Sequence, residues 1–281
     1  MPFAICLLTF AFLLTAFPFE MTSLAPRVST AEPAISPADV VSIFGVPFSF
    51  LSYDAAVQRI REMLSSGGAH QVVIANAHTL NLAYEDSAYR RTLQQAALVL
   101  RDGLGVELAA LLAGTRPAHN FVGTDFVPQL LASLADLRPG VFLYGAAEGV
   151  ASAAAAVLRN RCPGIRIVGV EHGYIDSASV IERVRAARPG VLLVALGNPL
   201  QERWIATNLI ALQVPVAIGV GALFDYLAGS VRRAPRWVRQ LRGEWLFRLF
   251  VEPRRLWRRY LAGNPQFVWR VLTATGGKSR S

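Results

Sequence analysis

Cysteine, histidine and paired acidic residues are scarce in this 281-residue chain, and their scarcity excludes several kinds of site. The two cysteines, Cys6 and Cys162, provide neither a disulfide framework nor a metal-ligand spacing, which favours a reducing compartment. The four histidines are scattered without the spacing of a zinc site, and no Asp-x-Asp sequence is present to hold a divalent ion against a diphosphate. We therefore expect no metal, no other cofactor and a cytoplasmic location.

A hydrophobic run long enough to cross a bilayer is also missing. The N-terminal run FAICLLTFAFLLTAF is about fifteen residues long, whereas a spanning helix needs roughly 20. It also lacks the positively charged start of a signal peptide. We assign residues 1–38 to an N-terminal extension and expect Met21 to be the true start, which leaves residues 1–20 as upstream sequence. An uncleaved anchor is the alternative.

Positive charge is a property of the C-terminal part of the chain. Residues 1–230 contain 15 arginines and 17 acidic residues, whereas residues 231–281 contain 13 basic and 2 acidic residues. Hydrophobic residues make up 53% of the chain and the mean hydropathy is +0.38, which indicates contact with a membrane. We assign residues 231–270 to a basic helical appendage and residues 271–281 to a disordered tail.

Tryptophan and arginine alternate within this appendage. Its large apolar residues recur every four positions, which predicts one helical stripe: Trp237, Leu241, Trp245 and Leu249. Pro253 is predicted to start a second helix. Tryptophan interleaved with arginine is typical of a surface at the boundary of an anionic membrane. A solvated basic face and nucleic-acid binding are the alternatives, but no nucleic-acid recognition motif accompanies the charge.

Short apolar runs alternate with helical patterns through the middle of the chain. The predicted strands are 71–76, 97–102, 141–145, 165–170, 191–197 and 214–221. The predicted helices are 77–96, 105–114, 123–137, 148–162, 177–187 and 201–212. This alternation predicts an α/β fold in residues 39–230, a Rossmann-like parallel sheet with helices on both faces.

Polar residues and glycines follow the predicted strands, where a parallel sheet binds its ligands. Asn76 and Asp102 each end a strand, and Asp102-Gly103 is either a tight turn or a carboxylate at a ligand crevice. Gly145 and Gly149 open a helix whose free N–H groups are suited to a phosphate, although a simple strand-to-helix turn explains them equally well.

The segment GNPLQERW, residues 197–204, places an amide, a carboxylate and a guanidinium at the start of one helix. Helix capping alone rarely needs so many polar groups. We expect Gln201 to face a ligand. For Glu202, helix capping and a salt bridge are both open.

Together these segments resemble the WecG/TagA/CpsF family of bacterial glycosyltransferases, glycosyltransferase family 26. The resemblance covers residues 42–270 and rests on NAHTLNLA, LVLRDGLGV, VGTDFVPQLL, FLYGAAEGVAS, HGYI, ALGNPLQERWI, GVGALFDYLAG and the Arg/Trp-rich segment from 232. It implies inverting, metal-independent transfer of a sugar from a UDP-sugar to a polyprenyl-diphosphate-linked saccharide. It also implies a peripheral protein on the cytoplasmic face of the plasma membrane, in polysaccharide biosynthesis.

The resemblance also implies roles for particular residues. Asp102 matches the proposed general base, while Asn76 and Gln201 match positions at the substrate crevice. The arginines that match the ligands of the UDP diphosphate are Arg248, Arg255 and Arg258. The appendage is implied to dock on the membrane, for which we select Trp237, Trp245 and Trp257, and to complete the active site.

One departure from the family pattern affects the choice of sugar. Many relatives have Thr-Pro-Asn where this chain has Ile74-Ala75-Asn76, so one hydroxyl is absent. A hexose, N-acetylmannosamine and its uronic acid all stay open, as does assembly into a homo-oligomer. Two further functions are alternatives: a nucleotide-sugar-binding regulator without turnover, and a basic adaptor for membrane or nucleic acid.

Overall fold

A parallel sheet of six strands forms the centre of the computed structural model, which describes residues 40–235, 237–238 and 243–276. Its strands are β3 (His70–Ala75), β4 (Leu98–Arg101), β5 (Gly140–Gly145), β6 (Arg166–Glu171), β7 (Val191–Ala195) and β8 (Val216–Gly219). They lie in the order β4-β3-β8-β7-β5-β6. All five pairings are parallel, which confirms the predicted sheet. The predictions for residues 1–38 lie outside the described residues.

Helices pack on both faces of this sheet. They are α1 (Tyr53–Ser65), α2 (Ala77–Glu85), α3 (Ser87–Gln94), α4 (Leu104–Leu112), α5 (Gly123–Ser133), α6 (Val150–Arg161), α7 (Ser177–Ala187), α8 (Leu200–Leu212) and α9 (Leu223–Leu227). A hairpin of β1 (Val40–Ile43) and β2 (Val46–Ser49) precedes them. The strands β3, β5 and β7 are buried along almost their whole length because apolar clusters cover both faces.

Two parts of the helical prediction are wrong. The helix expected over 77–96 is two helices, because Asp86 leaves helical geometry and its carboxylate accepts from the Tyr89 N–H at 2.9 Å, capping α3. The helix α1 was not predicted at all. Its start is fixed by Ser52, whose hydroxyl accepts from the Ala55 N–H at 3.1 Å.

The C-terminal part consists of short helices in sequence. They are α10 (Glu244–Val251), α11 (Pro253–Trp257), one π-helical turn (Arg258–Ala262) and α12 (Gly263–Gly276). The predicted start of a helix at Pro253 is confirmed. The continuous stripe from Trp237 to Leu249 is wrong, because Gly243 is not helical and a new helix begins after it. Leu241 lies outside the described residues.

The last helix belongs to the core. Phe267 and Val271 are buried in the same apolar cluster as Val73 and Ala75 of β3, the second strand of the sheet. Gly105 permits this approach, since a Cβ there would lie 3.3 Å from the Phe267 ring and 2.8 Å from the Ala77 Cβ. The disordered tail predicted from 271 is therefore wrong for 271–276, which are helical, while 277–281 lie outside the described residues.

Polar contacts fix α12 against α2. The Arg270 guanidinium bonds the Glu85 carboxylate at 2.6 Å and the Asn81 Oδ1 at 3.0 Å, and it lies over the Tyr84 ring at 4.4 Å. The Asn81 amide donates to the Gly263 carbonyl at 2.7 Å. The path of the C-terminal helices is therefore set by packing and by hydrogen bonds to α2, the helix that follows β3.

We predict that Phe267→Ala destabilises the whole fold. Removing a ring that is 1% exposed leaves a cavity and costs about 3–5 kcal/mol of unfolding free energy. Trp269→Ala, in the same helix but 69% exposed, is the control and should cost under about 0.5 kcal/mol. Urea unfolding measures both. Equal effects would mean that α12 is not part of the cooperative core.

Candidate active site

The Asp102-Gly103 turn lies at the carboxyl end of β4. The Asp102 N–H donates to the Ala75 carbonyl at 2.8 Å, which extends the pairing with β3 by one residue. Gly103 has a φ of 87°, and its N–H donates to the Asn120 Oδ1 at 2.8 Å. The local geometry is thus a turn fixed by a side chain, and it presents the Asp102 carboxylate beyond the end of the sheet.

Charges from three elements surround this carboxylate. Although part of the Asp102 residue reaches the surface, desolvation raises the pKa of its carboxyl group to about 7. Glu244 of α10 also raises this pKa. Three arginines lower it, in decreasing order of effect: Arg259, Arg101 and Arg248. A carboxyl group with this pKa changes protonation near neutral pH, as a general base requires.

Asn76 lies beside this turn, at the end of β3, as the N-cap of α2. Its Oδ1 accepts from the backbone N–H groups of His78 at 3.0 Å and Thr79 at 3.2 Å, while the Thr79 hydroxyl accepts from the Asn76 N–H. Capping therefore occupies the amide oxygen and fixes the side chain. The Nδ2 group remains as the donor that a ligand at this edge would meet.

Gly145 ends β5, and glycine is required there by close contact. Its φ is 126°, and a Cβ would lie 2.4 Å from the Ala195 carbonyl oxygen of β7. Beyond it α6 begins after Gly149, with no side-chain cap on its N–H groups. Four strand spacings, about 19 Å, separate the ends of β4 and β5. Gly145 and Asp102 would therefore contact different parts of an extended ligand.

Gln201 does not show the expected ligand-facing orientation. It is 2% exposed, and its Oε1 accepts from the N–H groups of Gly197 at 3.2 Å and Gly221 at 3.0 Å. Its Nε2 donates to Glu202 at 2.7 Å. The side chain therefore ties together the loops that follow β7 and β8. Direct contact with a substrate stays a prediction.

Glu202 neither caps a helix nor forms a salt bridge among the residues that the structure describes. Its carboxylate is buried and accepts hydrogen bonds from Tyr89 at 3.0 Å and from Asn198 and Gln201 at 2.7 Å each. Desolvation raises its pKa to about 7. Three neutral donors thus hold one carboxylate below the 197–201 loop, an arrangement that the sequence pattern did not indicate.

Two of the arginines implied by the resemblance share one counter-ion. The Glu252 carboxylate bonds Arg248 at 3.4 Å and Arg255 at 2.7 Å. The Arg248 guanidinium is mostly buried over the Tyr226 ring at 5.3 Å, and its Nε has no partner within the described residues. Arg255 is largely exposed. Both arginines act to lower the pKa of the Asp225 carboxyl group, but that pKa is raised because burial has the larger effect.

Arg258 and Arg259 are neighbours in sequence but point to different environments. Arg258 is exposed and lies over the Trp257 ring at 5.3 Å. Arg259 is directed inward, where its positive charge lowers the pKa of Asp102. The pKa of His78 falls to about 4, mainly through desolvation and to a smaller extent through Arg259. The sequence analysis missed Arg259. The available signal was its spacing of four residues from Arg255 on a helix.

The predicted docking tryptophans are not equivalent. Trp237 and Trp257 are 64% and 47% exposed, whereas Trp245 is only partly exposed and its ring lies 6.0 Å from that of Tyr260. Other large apolar side chains of the C-terminal helices are also exposed: Leu246, Phe250, Val251, Leu261, Trp269 and Leu272. The exposed apolar surface is therefore broader than the predicted stripe and extends to α12.

Neither a metal centre nor a membrane span is present in the described part of the chain. No group of three or more His, Cys, Asp or Glu side chains there is arranged to hold a metal ion. No helix within 40–235, 237–238 and 243–276 is long and apolar enough to cross a bilayer. The expectation that activity is independent of metal stays a prediction.

We predict that the Asp102 side chain titrates near pH 7, as measured by carbon NMR of its carboxyl group. Glu244→Gln should lower that midpoint, because a neighbouring negative charge that disfavours ionisation is removed. Glu182→Gln, an exposed change on α7, should leave it unchanged. A midpoint near 4 in the unmodified protein would contradict this description of the site.

Most of this chain matches known protein sequences. The model of the family described as "Glycosyl transferase WecG/TagA/CpsF family" matches residues 41–281. The N-acetylglucosaminyldiphosphoundecaprenol N-acetyl-beta-D-mannosaminyltransferases of Staphylococcus aureus strains NCTC 8325, COL and MRSA252 are each 31% identical over 238 residues, 83% of this chain and 92% of theirs. The family match covers nearly the whole described chain, which folds as a parallel α/β sheet with the motifs at its carboxyl edge. The chain therefore belongs to the WecG/TagA/CpsF family of glycosyltransferases.

Proposed function

We propose that the protein transfers a sugar, with inversion and without a metal, from a UDP-sugar to a polyprenyl-diphosphate-linked saccharide. The observation that carries the proposal is the Asp102 carboxyl group, whose pKa is near 7 beside the arginines of the C-terminal helices. A base and a set of cations thus lie together at the ligand-binding edge of the sheet.

The proposed reaction is a single displacement. The acceptor hydroxyl attacks the anomeric carbon while Asp102 takes its proton, a new C–O bond forms, and the bond from the anomeric carbon to the diphosphate oxygen breaks. The departing UDP carries away the electron pair and the negative charge. A base with a pKa near the working pH is suited to this step, because it is ionised in a large fraction of molecules and still accepts a proton.

Cations and helix N-termini would stabilise the departing diphosphate. Arg248 and Arg255 provide guanidinium groups, and α4, α6 and α8 begin at this edge of the sheet without side-chain caps. Uncapped N–H groups and arginines favour an anion, and preorganised donors act most strongly where charge develops in the transition state. This arrangement supports leaving-group stabilisation without a metal ion.

N-acetylmannosamine is the first candidate for the transferred sugar. The Staphylococcus aureus relatives are named for transfer of that sugar to N-acetylglucosaminyl-diphosphoundecaprenol. The replacement of Thr-Pro by Ile74-Ala75 before Asn76 removes a hydroxyl group from this edge, so glucose or the uronic acid of N-acetylmannosamine are the other donors to test.

A peripheral position on the cytoplasmic face of the plasma membrane would explain why the C-terminal helices expose aromatic side chains. Phe250 is 77% exposed, and Trp257 is exposed beside Arg258. Aromatic rings at the headgroup boundary together with arginines against anionic lipid would bring the crevice to a lipid-linked acceptor.

We predict that Asp102→Asn abolishes sugar transfer and leaves UDP binding within about twofold of the unmodified protein. The substitution removes the proton acceptor but keeps the shape and the neighbouring hydrogen bonds. UDP release in the presence of acceptor measures transfer, and calorimetry measures binding. Turnover above about a tenth of normal, a loss below roughly 1.4 kcal/mol, would disprove the general-base role. A binding regulator would not need Asp102.

We predict that Phe250→Ser combined with Trp257→Ser weakens binding to vesicles containing anionic phospholipid by at least about tenfold. Turnover of a water-soluble acceptor should persist, because both side chains are exposed and neither is among the residues expected to contact a substrate. Ile210→Ser is the control, since Ile210 is 89% exposed but lies on α8 in the core domain. Cosedimentation measures the binding. Equal binding of the double variant and the control would contradict membrane docking by this surface.

A further inference from the structure

A buried carboxylate lies beneath the loop that follows β7, and the proposed reaction gives it no role. Glu202 is 1% exposed, and its backbone carbonyl accepts from the Gln71 Nε2 at 2.9 Å, which ties the start of α8 to β3. Arg203, the next residue, is engaged elsewhere, since its guanidinium bonds Asp86 and lies over the Tyr89 ring at 5.7 Å. A carboxylate buried among neutral donors is costly to ionise, so its presence requires an explanation.

The two carboxylate oxygens of Glu202 have different partners. Oε1 accepts from the Asn198 Nδ2 and from the Gln201 Nε2, each at 2.7 Å, whereas Oε2 accepts from the Tyr89 hydroxyl at 3.0 Å. Both amide groups donate through nitrogen, so their carbonyl oxygens do not face Glu202. One oxygen atom of Glu202 therefore sets the orientation of two amide side chains.

Through Gln201 this orientation fixes two loops. The Gln201 Oε1 accepts from the N–H groups of Gly197, after β7, and Gly221, after β8. If the amide were reversed, its nitrogen would face two N–H groups, and both loops would lose their contact. Because β7 and β8 are neighbours inside the sheet, the two loops together form its carboxyl edge at this point.

For Asn198 the same orientation leaves an acceptor. Its Nδ2 is engaged by Glu202 and by Tyr89, whose pKa is raised by burial and by Glu202 and is lowered in part by a hydrogen bond from Asn198. Asn198 is partly buried in the loop after β7, and its Oδ1 makes no hydrogen bond within the part of the chain that the structure describes. A fixed acceptor at the ligand-binding edge is suited to a hydroxyl or N–H group of a ligand.

Glu202 keeps this role in both of its protonation states. Burial raises its pKa to about 7, so both states are populated near neutral pH. A hydroxyl group both donates and accepts, so Tyr89 accepts from a proton on Oε2 while Oε1 still accepts from both amides. The orientation of the amides therefore depends on an acceptor at Oε1 and not on a negative charge.

The position of these loops favours the nucleoside of the donor. β7 lies three strand spacings, about 14 Å, from β4, the strand that Asp102 follows. The helix α12, which anchors the surface proposed to face the membrane, packs against α2 and α4, the helices that follow β3 and β4. A lipid-linked acceptor would therefore enter on that side, and the donor nucleotide would extend the other way, toward β7.

We propose that Glu202 is a positioning residue for the donor site, holding Asn198 so that its Oδ1 accepts a hydrogen bond from the nucleoside of the donor nucleotide. The identity of that nucleotide rests on the proposed function. A uridine nucleotide carries a uracil N–H group and ribose hydroxyls, and each of them is a donor that fits an amide oxygen. Asn198 contacts the ligand, and Glu202 acts through Asn198.

The test measures binding of UDP, CDP and inorganic pyrophosphate to the full chain by calorimetry. Asn198→Ala removes the acceptor and should weaken UDP binding about fivefold, with pyrophosphate binding unchanged. Glu202→Leu removes the acceptor at Oε1 and should weaken UDP binding at least as much. Glu202→Gln keeps an oxygen at that position, so it should bind UDP within about twofold of the unmodified protein.

The control for Glu202→Leu is Glu182→Leu, the same change at an exposed position on α7, which should leave UDP binding unchanged. The double variant Asn198→Ala with Glu202→Leu should bind UDP no more weakly than Glu202→Leu alone, because one residue acts through the other. Thermal unfolding shows whether each variant folds. If Glu202→Leu does not fold, Glu202→Asp replaces it, since the shorter side chain withdraws the acceptor but stays polar.

The outcomes identify the contacted group and test the proposal. For Asn198→Ala, equal losses of UDP and CDP binding identify a ribose hydroxyl as the partner, and a loss for UDP alone identifies the uracil N–H group. Three results overturn the proposal: normal UDP binding by Asn198→Ala, an equal loss of pyrophosphate binding, or a loss for Glu202→Gln as large as that for Glu202→Leu.

These measurements need no turnover. If the unmodified protein binds UDP through Asn198 but transfers no sugar, the proposed function fails and this inference survives. If it transfers sugar, Asn198→Ala should raise the KM for the donor and leave kcat unchanged, because the loop lies three strands from Asp102. If it transfers sugar while Asn198→Ala binds UDP normally, the inference alone fails.

Discussion

The desolvation of charged side chains between the C-terminal helices and the carboxyl edge of the sheet is the constraint on which the site depends. Asp102 is held there with a raised pKa, and Arg259 is held there with a lowered one. Each group alone would be unfavourable, and neither is neutralised by a direct ion pair among the described residues. Because the folded state favours protonated Asp102, this group stabilises the fold at low pH, and its contribution is lost as the pH rises toward about 7. Ionisable groups with shifted pKa values are common at sites that bind a ligand or catalyse a reaction.

The core maintains this arrangement. Phe267 packs against β3 and α4, and Arg270 bonds the helix that Asn76 caps. The arginines therefore take their positions from a helix anchored in the hydrophobic core. The outer side of the same segment carries Phe250 and Trp257. One run of short helices thus presents charge inward to the crevice and aromatic surface outward, which is the arrangement that sugar transfer at a membrane surface would need.

Much of the fold could be predicted from the sequence, because continuous apolar runs separated by helical patterns are typical of a parallel sheet with helices on both faces. All six strands lie within two residues of their predicted ends, and Pro253 starts its helix. The breaks at Asp86 and Gly243 could not be read from periodicity, since the apolar pattern continues across them and only local capping and backbone geometry end the helices. The continuation of α12 through 271–276 depends on contacts of Phe267 and Val271 with distant strands.

The site was partly predictable for the same reason. Asp102 and Asn76 follow strands, and their position at one edge is a property of parallel sheets. The choice between Arg258 and Arg259 depends on a π-helical turn that no side-chain pattern specifies. Gln201 was expected to face a ligand, and Glu202 to cap a helix or form a salt bridge. Both side chains are instead buried, and Gln201 bonds the loops that follow β7 and β8.

The central claim is that this crevice transfers a sugar between two diphosphate-bearing substrates without a metal. Its most direct test is the rate of UDP release by the full chain with UDP-N-acetylmannosamine, UDP-glucose or the uronic acid donor, and a short-chain prenyl-diphosphate-linked N-acetylglucosamine, in excess chelator. We expect release with at least one donor, dependent on the acceptor and matched by an inverted product. Absence of release with every donor, or release that requires an added divalent metal, would contradict the claim.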